Sequence, residues 1–218
     1  KMKKRLVILS GAGVSAESGI KTFRDAGGLW EGYDVMEVAT PEGWYKNQEL
    51  VLEFYNQRRK QALTAEPNTA HKVIAELQNW FEVEVITQNV DNLHEKAGSE
   101  KVIHLHGELF KSRSTIDEKL IYDIEGWALH KGDLCEKGSQ LRPHIVWFGE
   151  MVPMMEVAME VAELADYFVV VGTSLQVYPA AGLVDYVHST VPVYVVDPHM
   201  PHMRHRPKLH LFEENAGT

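Results

Sequence analysis

Residues 11–25 read GAGVSAESGIKTFRD and follow the apolar run Leu6-Val-Ile-Leu9. That run has the length of a buried parallel strand, with Lys3, Lys4 and Arg5 ahead of it. Gly11, Gly13 and Ala16 stand at G-x-G-x-x-A spacing, the pattern of a strand turning into a phosphate-binding helix start. Gly11 permits a tight turn, Gly13 lets backbone N–H groups approach a pyrophosphate, and Ala16 lets the helix sit close to the sheet. A helix N-terminus adds a favourable field for an anion. Tight turns without a ligand share this pattern, so context decides. In an ordinary dinucleotide fold a second strand ends in an acidic residue about 20 positions later. Here Asp25-Ala-Gly-Gly-Leu-Trp-Glu-Gly32 reads as a loop, and Glu31, Asp34 and Glu37 do not end a strand-like run.

The whole stretch, through Phe23-Arg-Asp25, resembles the signature loop of the sirtuins, NAD-dependent protein deacylases. Lys21 is a departure, because the family usually has proline there. Thr87-Gln-Asn-Val-Asp-Asn-Leu-His94 follows a strand expected over 83–87 and resembles the family's TQNxDxLH motif. Read without the resemblance, Asn89 or Asp91 is equally a helix cap. Val102-Ile-His-Leu-His-Gly107 is a short strand ending in His-Gly, and the His before the Gly, His106, matches the family's catalytic base. Imidazole titrates near 6.5, which suits a base at neutral pH. His104, two residues back, reads as structural.

The other motifs keep the family's order. Arg142-Pro-His-Ile-Val-Trp-Phe-Gly-Glu150 resembles its substrate-binding strand, to whose edge a peptide adds through main-chain bonds; a plain core strand would look the same. Tyr167-Phe-Val-Val-Val-Gly172-Thr-Ser174 is a strong strand ending in a second phosphate- or ribose-binding turn. Val193-Tyr-Val-Val-Asp197 reads as the last strand, with Asp197 where the family usually has the Asn that contacts the adenosine ribose. The tail beyond it, with four histidines, reads as solvated loop. Between these strands, residues 40–65 have helical spacing. Asn68 to Leu77 reads as a helix with Val73, Ile74 and Leu77 on one face, and Glu156 to Leu164 as another.

The expected fold is α/β, a Rossmann-like doubly wound parallel sheet with a smaller inserted module. The sheet part takes about 1–24, 81–110 and 144–218; the module takes 25–80, helical, and 111–143. In 111–143 the family carries a zinc ribbon with two pairs of cysteines. This chain has Ser112-Arg-Ser114 there and a single cysteine, Cys135, so no metal site is expected. Ile121, Tyr122, Ile124, Trp127 and Leu129 are expected to form an apolar cluster instead.

The resemblance implies the following roles. Gly11, Ala12, Gly13, Ser15, Ala16, Phe23, Arg24, Gln88, Asn89, Asp91, Gly172, Thr173, Ser174 and Asp197 hold NAD. Gln88 and Asn89 meet the nicotinamide ribose, Asp91 the carboxamide. Phe23 shields the anomeric carbon and Arg24 orders the phosphates. His106 and Asn89 are catalytic: the acyl oxygen of an acyl-lysine displaces nicotinamide, and His106 activates a ribose hydroxyl that attacks the resulting imidate. Ala39, Tyr55, Arg58, Val146, Phe148, Gly149 and Val177 meet an acyl-lysine protein or peptide. Tyr55 and Arg58 are three apart on one helix face and resemble the Tyr-x-x-Arg pair of sirtuins that remove succinyl and malonyl groups. Ala39 matches their small pocket residue. An amphipathic helix with a core Tyr and a solvated Arg is the alternative.

Composition limits the rivals. Net charge is -9 over 218 residues, against a nucleic-acid surface. No apolar run has transmembrane length, and one cysteine fits a reducing, cytoplasmic setting. A nicotinamide-dependent dehydrogenase, or a non-catalytic reader of ADP-ribose or acyl-lysine, would share parts of these motifs.

Overall fold

The computed structural model describes residues 2–21 and 29–218. The elements in chain order are β1 (Arg5–Ser10), α1 (Ala12–Ala16), β2 (Leu29–Trp30), β3 (Tyr33–Asp34), α2 (Val35–Val38), α3 (Pro41–Lys46), α4 (Gln48–Ala62) and α5 (Thr69–Glu76). Then come β4 (Glu82–Thr87), α6 (Leu93–Lys96), β5 (Val102–His104), β6 (Gly107–Ser114), β7 (Ile121–Asp123), β8 (Leu141–Ile145), α7 (Met155–Glu163), β9 (Tyr167–Val171), β10 (Val193–Val196) and β11 (Leu209–Phe212). A 3-10 helix, Ala180–Tyr186, lies between β9 and β10.

The six-stranded sheet runs β5-β4-β1-β9-β10-β11, all parallel. Numbered by appearance this is the doubly wound order 3-2-1-4-5-6, whose switch point lies between β1 and β9. Side chains alternate across the sheet, as the two-residue period demands. Val7 and Leu9 of β1 pack on one face with Ala158 and Ala162 of α7 and Leu183 of the 3-10 helix. Leu6 and Ile8 pack on the other with Ala70 and Ile74 of α5. The small residues of α7 let it approach the sheet closely.

A third core fills the inserted part. Trp44, Val51, Phe54 and Tyr55 meet Leu109, Leu129, Ile145 and Trp147 there. Residues 107–145 form an antiparallel sheet ordered β7-β6-β8. Two side chains of α4 fasten it. Asn56 donates from Nδ2 to the Leu129 carbonyl (3.0 Å) and accepts from the Leu129 N–H at Oδ1 (2.8 Å). Arg59, fully buried, donates to the carbonyls of Trp127 (2.8 Å) and Leu109 (3.1 Å) and to Asn56 Oδ1 (2.6 Å). Burial lowers its pKa to about 10, still high enough to keep the charge at neutral pH.

The structure corrects several expectations. The tail adds β11, a parallel edge strand on β10, so Val193–Val196 is not the last strand. Helix 40–65 breaks at Asn47, whose side chain caps α4 through the Leu50 N–H. On α5 the buried face is Ala70, His71 and Ile74, and Val73 is half-exposed, because His71 turns inward to complete a capping box with Asn68. In 111–143, Leu129 and Ile124 join the third core, whereas Ile121 is exposed.

Candidate active site

The switch point is where the first signature turn meets the second. The Gly11 N–H donates to Val171 O (3.0 Å) and the Gly13 N–H to Gly172 O (2.8 Å). A Cβ on Gly11 would lie 2.5 Å from Thr173 Cβ, and one on Gly13 would lie 2.9 Å from Gly172 Cα. Gly172 has φ +69°, in the left-handed region, and a Cβ there would meet Val14 N at 2.5 Å. These glycines therefore weld the turns after β1 and β9 together. The Gly13 N–H itself is occupied by this contact between the two turns. Ala16 departs from expectation: it is exposed, and Val14 and Ser15 are the buried residues of α1.

Beside this weld lies a cavity of about 420 Å³. Of the expected residues it is lined by Ala12, Ser15, Ala39, Tyr55, Arg58, Gln88, Asn89, Asp91, His106, Val146, Phe148, Gly149 and Val177. Gly11, Gly13, Gly172 and Thr173 lie in its supporting layer rather than on its wall, and Ser174 follows Thr173 in the second turn. Asp197 closes β10 at the same sheet edge, with Oδ1 accepting from the His199 N–H (2.8 Å). Phe23 and Arg24 lie outside the described residues, as does much of the loop expected over 25–32.

Strand β4 delivers the polar floor. Asn89 is buried, and its Nδ2 donates to Gly11 O (3.0 Å) and Ser15 Oγ (3.2 Å), tying the second motif to the first. Ser10 Oγ, Thr87 Oγ1 and His94 Nε2 continue this layer at 2.8 Å spacings. Asp91 Oδ1 accepts from the Leu93 N–H at the start of α6 (3.0 Å), and the residue also lines the cavity. Gln88 accepts weakly from Thr173 Oγ1 (3.4 Å), while its Nε2 is buried with no partner among the described residues. An orphaned donor on a cavity wall calls for a ligand acceptor.

His106 also lines the cavity. Its Nδ1 lies 3.2 Å from the Gln88 carbonyl, which can only accept. Nδ1 therefore carries the proton of the neutral ring, and Nε2 keeps its lone pair. Burial lowers the His106 pKa, opposed by that hydrogen bond. A neutral, oriented imidazole is what a general base requires.

Tyr55 and Arg58 of α4 line the same cavity, as does Ala39. Tyr55 is fully buried, so its pKa rises. Its oxygen accepts from Trp147 Nε1 at 3.1 Å. Arg58 sits over the Phe54 ring (4.8 Å), and its Nε and Nη1 are buried with no hydrogen-bond partner among the described residues. Burial lowers its pKa, and the charge of Glu31, in the β2–β3 turn, works the other way. The sequence reading missed Trp147, Glu31 and Trp30 on this wall. Trp147 lay in an apolar run, where only a partner 92 positions away reveals its N–H.

Residues 146–149 lie past the end of β8 and not within it. The N–H of Val146 donates to His106 O and that of Phe148 to Ala39 O, each at 2.9 Å. Those two donors hold the wall in place, so a substrate backbone would have to use other groups of this segment.

Residues 11–179 match the Sir2 family model. The chain belongs to the Sir2 family. Two relatives named NAD-dependent protein deacylase come from Helicobacter pylori and Bacteroides thetaiotaomicron. The first is 57% identical, covering 89% of this chain and 85% of the relative. The second is 52% identical, covering 98% and 94%. Among solved structures, a Sir2 homologue in complex with NAD is 42% identical with TM-score 0.87, covering 99% of this chain and 86% of that one. Another, a point mutant of a Sir2 homologue bound to ADP-ribose, is 41% identical with TM-score 0.88, covering 99% and 88%. The sirtuin reading of the sequence and its doubly wound α/β fold hold. Among the described residues, no helix is long and apolar enough to cross a membrane.

Proposed function

We propose that this Sir2-family enzyme, an NAD-dependent protein deacylase, removes acidic acyl groups, succinyl or malonyl, from lysine in preference to acetyl. The observation that carries the acidic preference is Arg58: a cavity-lining guanidinium with two buried N–H-bearing atoms that find no partner among the described residues. Burying such donors unmatched is unfavourable. A carboxylate at the end of an acyl chain satisfies them with charge-assisted bonds, and the Tyr55 hydroxyl adds a donor because its oxygen already accepts from Trp147. Acetyl lacks that carboxylate.

NAD, when bound, supplies an electrophilic ribose carbon bearing nicotinamide as leaving group. The residues of this chain do the rest. Gln88 Nε2 would donate to the ribose, and Asp91, on the cavity wall, would accept from the carboxamide. Asn89 keeps the Gly11 turn and Ser15 in register. His106 Nε2 takes a proton from a ribose hydroxyl as that oxygen becomes a nucleophile. The lysine enters between Val146–Gly149 and Val177. Incubating the protein with NAD and matched acetyl-, malonyl- and succinyl-lysine peptides, with mass analysis of products, tests the reading. Faster loss of the acidic groups supports it; preferential loss of acetyl overturns it.

A further inference from the structure

We propose that Glu95, His104 and Glu108 form a binding site for a divalent first-row transition-metal cation, separate from the deacylase cavity. Ligand atoms of the three side chains lie within 4.8 Å of one another. His104 Nε2 is 2.8 Å from Glu95 Oε2 and 4.0 Å from Glu108 Oε1. Its other nitrogen, Nδ1, is 2.9 Å from the Asn89 carbonyl. Metal-ligating histidines are held this way: one ring N–H on a carbonyl fixes the ring and aims the second nitrogen at the ion. Imidazole with two carboxylates is a donor set suited to zinc, cobalt or manganese.

The surroundings add an independent observation. Glu108 also borders a separate cavity of about 180 Å³, with Asn92, Lys111 and Asp123 on its wall. Asn92, on the same wall, has its Oδ1 buried with no hydrogen-bond partner among the described residues, an acceptor that water on a cation beside Glu108 would satisfy. Lys111 Nζ, 3.2 Å from Glu108 Oε2, is the cation now nearest and leaves Oε1 on the His104 side. Val90 and Asp91 line both this cavity and the larger one, so they form the partition between them. Loading the site replaces the Nε2 proton of His104 with the metal and releases that proton to solvent. The site lies apart from Cys135 and needs no cysteine.

Chelator-treated full chain titrated calorimetrically with Zn²⁺ tests this, with a Glu95→Gln/Glu108→Gln variant beside it. His104 is left intact because it holds the Asn89 carbonyl. One saturable site in the native chain, weakened at least about tenfold in the variant, is expected. Crystals soaked in Zn²⁺ should show an anomalous peak about 2.0–2.2 Å from His104 Nε2. No binding, equal affinity in the variant, or a peak only at the tail histidines would overturn the proposal.

Discussion

Trp147 donates its indole N–H to the phenol oxygen of Tyr55 across 92 positions of sequence, at 3.1 Å. The donor is itself fixed. Arg142 lies 3.7 Å over the Trp147 ring and pairs with Glu150 at 2.8 Å, and Glu150 Oε1 accepts from the Trp147 backbone N–H. This end of the cavity wall thus rests on a braced aromatic cluster. Because the Tyr55 oxygen already accepts, its own hydrogen is free to be donated elsewhere.

Trp147→Phe keeps most of the bulk and removes that donor. The loss of one neutral hydrogen bond is about 0.5–1.5 kcal/mol. Desuccinylation should fall by a factor of about 2 to 10 in kcat/KM, and deacetylation by less. An equal fall on both substrates would make Trp147 a packing residue only.

Arg58→Met leaves an apolar stem in the cavity and deletes the guanidinium. Hydrogen bonds to charged groups contribute about 1.5–3 kcal/mol, so desuccinylation should drop roughly 10- to 150-fold. The ratio of succinyl to acetyl turnover is the quantity to follow, and an unchanged ratio would remove Arg58 from the acyl site.

For His106→Ala, turnover should fall about 10²- to 10⁴-fold, as for loss of a general base. Burial lowers this pKa below its ordinary 6.5. The acid limb of kcat/KM against pH, which reports the free enzyme, should accordingly lie below 6.5 in the native enzyme. A limb centred above 6.5 would assign the titration to another group.

Acid should destabilise the fold before most carboxylates titrate. His94 is 1% exposed, and burial holds its pKa down at about 3 against an ordinary 6.5. Below pH 6.5 the unfolded chain binds a proton that the folded His94 refuses, so stability falls as pH drops from 6.5 toward 3. Between pH 6.5 and 5 this one group contributes a loss of up to about 2 kcal/mol. His94→Gln should flatten that part of a denaturant-midpoint curve; an unaltered slope would place the acid sensitivity elsewhere.

Asn56→Ala tests what orders the inserted antiparallel sheet. It orphans the Leu129 N–H and carbonyl and removes an acceptor from Arg59. With about 1–3 kcal/mol for each of the two Leu129 groups left unpaired, a loss of about 2–6 kcal/mol is expected. Thermal unfolding would show it as a lowered Tm, and an unchanged Tm would mean the sheet is held by apolar contacts alone.

Local chemistry made much of the site readable before the structure. Gly11, Gln88, Asp91 and His106 stand at strand ends, where the motif and the strand period coincide. Tyr55 and Arg58 share a helical face because three residues is nearly one turn. What stayed hidden depends on partners far along the chain. Nothing near Asn56 or Arg59 in sequence announces Leu129 or Trp127. Leu209-His-Leu-Phe212 follows a Pro- and His-rich segment and becomes a strand only through pairing with β10. The close approach of the Gly172 backbone to Gly13 depends in the same way on a turn much later in the chain.

The central claim is tested most directly by kcat/KM of the native enzyme on one peptide carrying succinyl-lysine or acetyl-lysine, with nicotinamide release followed in parallel. NAD-dependent release with both, and a higher kcat/KM for the succinyl peptide, is the predicted result. A higher value for acetyl, or no nicotinamide released with either, would contradict it.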